Sequence, residues 1–91
     1  METKGDDEVK ATILYHLRKK RIIGNAHTHF DTLTKGFPSH LRKDVKKIAQ
    51  KLIKENLILI KPASYGLQVS LNKERLREIE DFICKILGFK F

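Results

Sequence analysis

The stretch SHLRKDVKKIAQKLIKENLILIKPASYGLQVSLN, Ser39 to Asn72, decides how the chain folds. Its first half has helical spacing. Placed at 100° per residue, Leu41, Val45, Ile48, Ala49 and Leu52 fall within roughly a 100° arc, while Ser39, Arg42, Lys43, Lys46, Lys47, Gln50, Lys51 and Lys54 fill most of the opposite half. Pro38 is tolerated only at or before a first helical turn and Ser39 is a good cap, so a helix is expected over 39–56. Its second half changes period. Leu57–Lys61 is short and β-branched, Leu67–Leu71 alternates with period two, and PASYG between them supplies Pro62 and Gly66 for a turn. A β-hairpin with a loop of about five residues follows.

Upstream, Val9, Ile13, Leu14, His16 and Leu17 recur at three- and four-residue steps from Asp6 onward. Asp6, Asp7 and Glu8 lie where a helix N-terminus favours negative charge. Arg18, Lys19, Lys20 and Arg21 lie at the end that favours positive charge, and Gly24-Asn25 is expected to stop this helix. That basic run is read as a solvated helix end. Ala26–Phe30 alternates like a short strand. Asp31 then offers an N-cap and Gly36 a stop, with room for about one helical turn between them. Downstream, Asn72 is expected to cap a last helix in which Leu76, Ile79, Phe82, Ile83, Ile86 and Leu87 form one stripe ended by Gly88.

The chain has 91 residues, enough for a single domain over 6–91 with a disordered start at 1–5 and a modest core. No apolar run approaches the ~18 residues of a membrane span and no signal-peptide core opens the chain, which favours a cytoplasmic protein without a membrane partner. A lone cysteine, Cys84, leaves no intramolecular disulfide and reads as a small hydrophobe. The formal net charge is +8, and residues 35–61 carry most of it, with eight Lys/Arg against Asp44 and Glu55. Such a concentration in one supersecondary unit is the electrostatic footprint of a nucleic-acid surface; a solvated Lys-rich helix is the competing explanation.

The expected order is helix, short strand, one-turn helix, long basic helix, hairpin, helix: an α+β, mostly helical winged helix-turn-helix domain. HTHFDTLTKGFPSHLRKDVKKIAQKLIKENLILIKP, residues 27–62, together with SYGLQVSLN, residues 64–72, resembles an archaeal-type winged helix-turn-helix DNA-binding family. The resemblance covers roughly half the chain. It implies that the basic helix is the reader, that the hairpin is the wing, and that the early strand pairs with the hairpin to close a three-stranded sheet. One departure is visible: the second helix is a single turn, where the motif usually has two.

A B-DNA major groove about 12 Å wide admits one α-helix, whose N-terminal residues reach base edges while flanking cations neutralise phosphate. Ser39, His40, Arg42, Lys43 and Lys46 are therefore the candidates for groove contact, with Arg42 able to bond guanine bidentately and Gln50 carrying the amide that adenine needs. Lys47, Lys51 and Lys54 suit the backbone. In the wing, Lys61, Ser64 and Tyr65 surround the loop, although Tyr65-Gly66 also reads as a plain turn.

Two other functional readings are carried alongside double-stranded DNA binding by a transcriptional regulator. Nothing in the residues separates DNA from RNA, so an RNA-binding winged-helix module stays open. The C-terminal stripe either completes the core or forms a protein-interaction face, with a homodimer through Phe82, Ile83, Ile86 and Phe89 preferred. His27-x-His29, with His40 and Cys84, matches no zinc pattern, so no metal and no cofactor are expected. There is no Gly-rich phosphate loop and no nucleophile motif, and the carboxylates sit in charge-balanced faces. Catalysis is not expected.

Overall fold

Helix α1 spans Asp6–Lys19, strand β1 Thr28–His29, helix α2 Arg42–Lys54, strands β2 and β3 Ile58–Ala63 and Gly66–Leu71, and helix α3 Leu76–Leu87. These assignments come from a computed structural model that describes residues 5–64 and 66–91. Three 3-10 turns link the elements, at Phe30–Thr34, Ser39–Leu41 and Lys73–Arg75. The disorder expected for residues 1–4 lies outside the described residues. Gly5 is the extended N-cap of α1 rather than part of a tail.

The α1 periodicity holds, with Val9, Ile13, Leu14 and Leu17 on the buried face. The helix ends at Lys19, five residues before Gly24, however. Arg21 adopts φ 58°, its amide donates to the Arg18 carbonyl, and the Ile22 amide donates to the Leu17 carbonyl. This is a Schellman closure with arginine in the left-handed position usually given to glycine. Arg18 also departs from the solvated end expected for it. Its Nε donates to Glu80 of α3 at 2.7 Å, and its guanidinium lies 4.9 Å from the Phe91 ring centroid.

β1 is shorter than the alternation over 26–30 suggested, because the chain turns into a 3-10 helix at Phe30. Asp31 falls inside that turn, and His29 takes the N-cap position. Leu33 and Phe37 plug the core from here. Gly36, at φ 90°, passes so close to His16 that an added Cβ would stand 3.2 Å from the imidazole Cε1. His16 is half-buried between Tyr15 and Phe37.

The basic helix begins later than expected. Ser39 opens a 3-10 turn and Leu41 occupies the N-cap of α2, so no serine hydroxyl caps it. Val45, Ile48, Ala49 and Leu52 are buried, as their arc required. Asn56, at φ 64°, closes the C-terminus: the Leu57 amide donates to the Leu52 carbonyl, and the Asn56 amide to that of Ile53. Glu55 and Asn56 are then tied to the start of α3. Asn72 Nδ2 donates to the Asn56 carbonyl at 2.8 Å, its Oδ1 accepts from the Glu74 amide, and Arg75 Nη1 donates to the Glu55 carbonyl.

The sheet is antiparallel with order β1-β3-β2, the early strand pairing with the second hairpin strand through Thr28↔Val69 and His29↔Gln68. The hairpin is tighter than PASYG suggested. Pairing continues through Pro62↔Leu67 to Ala63↔Gly66, so Pro62, Ala63 and Gly66 belong to the strands and not to the loop. Pro62 fits because β2 is an edge strand, where a missing amide leaves no ladder bond unmade.

Ile58, Val69 and Leu71 of the sheet meet Leu52 of α2, Ile13 and Leu14 of α1, and Ile79 and Ile83 of α3 in one core. Each fully buried Leu or Ile contributes about 1.5–3 kcal/mol relative to exposure. Ile83 is buried inside its own domain. Phe82 and Leu87 are half-buried against the same core, Ile86 is partly covered, and Phe89 stacks on Tyr15 at 4.5 Å. The C-terminal stripe thus chiefly completes the core. No described helix is long and apolar enough to cross a membrane.

Candidate nucleic-acid interface

With Val45, Ile48, Ala49 and Leu52 facing inward, helical geometry turns Arg42, Lys43, Lys46, Lys47, Gln50, Lys51 and Lys54 outward, and all seven are exposed. Ser39 and His40 are exposed in the 3-10 turn just before them. The predicted residues of the basic helix therefore share one continuous surface.

Among the described residues, two of its lysines meet carboxylates of the protein. Lys46 Nζ lies 3.5 Å from Asp31, and Lys51 Nζ donates to Asp6 at 3.4 Å. Side-chain exposures of 48% and 83% in the first pair, and 56% and 65% in the second, leave both in high dielectric, worth about 0–1 kcal/mol each. A phosphate can replace either carboxylate. Arg42, Lys43, Lys47 and Lys54 make no ion pair among the described residues.

Position along the helix separates these cations further. Lys51 and Lys54 lie in the last turn of α2, where the helix dipole favours positive charge without any ligand. Arg42 and Lys43 lie in the first turn, where the dipole opposes them by about 0.3–1 kcal/mol each, and Asp44 is the only acid there. Folding gains nothing from cations at that end. A bound anion would, because the helix N-terminus and both side chains would then act on it together.

No family model, curated protein or solved structure matches the chain.

The hairpin carries its candidate residues apart from the helix. Lys61 and Ser64 are exposed on and beyond the edge strand, and Tyr65 lies outside the described residues. A link between the two surfaces runs through the turn at Phe30–Thr34. Asp31 pairs with Lys46 on one side, and on the other it lines a shallow groove of about 190 Å³ with His29, Phe30, Gly66 and Leu67. On the opposite flank, Asp6 and Asp44 line a groove between α1 and α2 with Lys47 and Lys51, and Asp7 and Glu8 are exposed in the same first turn of α1. The positive surface is thus bordered by acid along the start of α1 and, at Asp31, on the side of the hairpin.

Asp6 and Asp31 were not legible as neighbours of the basic helix. Each has a sufficient local explanation, a helix start and a turn, and Asp6 is 45 residues from Lys51. No local pattern could have signalled the contact. Among the described residues no group of three His, Cys, Asp or Glu side chains could hold a metal ion.

Proposed function

We propose that the chain is a winged helix-turn-helix protein that binds double-stranded DNA and acts as a transcriptional regulator, with α2 in the major groove and the β2–β3 hairpin as the wing. One observation carries the reading: an exposed cationic face whose Arg42 and Lys43 stand at the helix end where folding alone disfavours them. Sites that contradict local preference are where function is expected to lie. The element order and the pairing of the early strand with the hairpin support the wing assignment.

At 1.5 Å per residue α2 is about 20 Å long, so its two ends meet different parts of a duplex. Ser39, His40, Arg42, Lys43 and Lys46 enter the groove, and Arg42 bonds guanine through its forked guanidinium. Gln50 follows on the same face. Lys47, Lys51 and Lys54 rest on phosphates, which fix register without reading sequence, and Lys61 with Ser64 does so from the wing.

Replacing Arg42, Lys43 and Lys46 together by Ala tests the assignment. Duplex binding should disappear at near-physiological salt while the melting temperature stays within a few degrees, since all three side chains are exposed. Unchanged binding would remove α2 as the reader. The same titration with a matched RNA duplex discriminates the polymers: a tenfold preference for RNA would reverse the proposal.

A further inference from the structure

Along the hairpin, cross-strand partners share a face, and residues two apart return to it. One face therefore carries the pairs Ile58↔Leu71, Ile60↔Val69 and Pro62↔Leu67. The first pair is fully buried. In the second, Val69 is buried while Ile60 is 43% exposed, and in the third Pro62 is exposed and Leu67 is 46% exposed. The apolar face thus runs past the end of the core it serves and presents Ile60, Pro62 and Leu67 to solvent. Core packing explains Ile58, Val69 and Leu71 but not these three, where polar side chains would protect an edge hairpin better.

The surroundings say what would cover them. Pro62 lacks an amide, so strand addition by a partner protein along β2 is impeded where the face is most exposed. Residues 57–71 contain Lys61 and no carboxylate. Leu67 shares its groove with the Asp31 carboxylate, whose own partner is Lys46 of the basic helix, so the apolar face adjoins the cationic one across that ion pair. A narrow apolar ribbon beside a polyanion-binding helix fits a minor groove, where Ile, Leu and Pro serve as wedges between base steps.

Resting on the DNA-binding reading, we infer that Ile60, Pro62 and Leu67 enter the minor groove and kink the duplex toward its major groove. The bend folds flanking phosphates onto Lys47, Lys51 and Lys54. It also makes a flexible pyrimidine–purine step beneath the wing part of the recognised site, a preference exercised without a hydrogen bond to a base.

The test is resonance energy transfer between dyes on the two ends of a short duplex. The wild-type protein should bring the ends together by a bend of roughly 20–90°. Ile60→Thr/Leu67→Ser should bind with a shallower salt dependence, having lost the phosphates that the bend brings, and leave the ends at the free-duplex distance. Lys47→Ala should bind more weakly yet keep the bend. Because Ile60 and Leu67 are only half-covered, the double variant should retain its circular dichroism; should it not, a second measurement serves. Placing a TA step under the wing should raise wild-type affinity, and single Leu67→Ser should lose that gain. A straight duplex in the wild-type complex, or a bend that survives the double variant, overturns the wedge while leaving DNA binding intact. Absence of any salt-dependent binding overturns both.

Discussion

Asp6→Asn should weaken the fold and tighten DNA binding at once. In the first turn of α1, Asp6 interacts favourably with the helix dipole, and it holds Lys51 at 3.4 Å from across 45 residues. Both effects are small at this exposure. The dipole contribution is about 0.3–1 kcal/mol and the exposed pair about 0.2–1 kcal/mol. A combined loss near 1 kcal/mol lowers the melting temperature of a domain this size by roughly 4–8 °C. Binding moves the other way, because Lys51 is released to a phosphate and a carboxylate leaves the flank of the interface. Lys51 already reaches a phosphate in the wild-type complex, so the salt slope stays the same and affinity rises by the cost of the exposed pair, up to about fivefold for about 1 kcal/mol. Thermal melts followed by circular dichroism and fluorescence anisotropy of a labelled duplex at several salt concentrations read the two effects separately. A variant that loses stability but gains no affinity would show that Lys51 never faces DNA.

Two stability changes follow from the chain reversals at helix ends. Arg21→Gly removes a side chain from a left-handed position whose hydrogen bonds are all made by backbone, and should stabilise by about 0.5–1 kcal/mol in denaturant unfolding. Asn72→Ala should destabilise by about 1–2 kcal/mol, since the one amide both caps the turn leading into α3 and donates to the Asn56 carbonyl at the end of α2. Neither substitution touches α2's outer face, so duplex affinity should be unchanged in both.

The elements that could be read from local pattern are those whose physics is local. The stripe Val45, Ile48, Ala49, Leu52 predicts which side of α2 is dry, and the alternation in Leu67–Leu71 predicts the strand that becomes central in the sheet. Errors gathered where tertiary contacts outvote composition. Gly24-Asn25 looked the better helix stop, yet Arg21 takes the left-handed turn, so that the Leu71 amide donates to Ile22 and the Gly24 amide to Leu71. Pro62 looked like a turn residue but joins the edge strand, which shortens the hairpin loop. Ile83 looked available for a partner because it shares the single apolar stripe of α3 with Phe82 and Ile86, and only the packing of α1 against α3 reveals which of these lie inside.

The candidate site divides in the same way. Its cations were legible because they sit on one helix at helical spacing. The acids that border them, and the apolar hairpin face that continues the surface, were not. Asp6, Asp31, Ile60 and Leu67 acquire meaning only once α1, the turn at Phe30–Thr34 and the hairpin are assembled around α2.

The most direct measurement is a titration of labelled duplex DNA with the wild-type protein by fluorescence anisotropy, from about 0.05 to 0.3 M monovalent salt. If the outer face of α2 and the wing neutralise about five or six phosphates, log K falls against log salt with a slope of roughly −4 to −6. Affinity that ignores salt, or an anisotropy that never rises at the lowest salt, would contradict a role for that face in binding a polyanion.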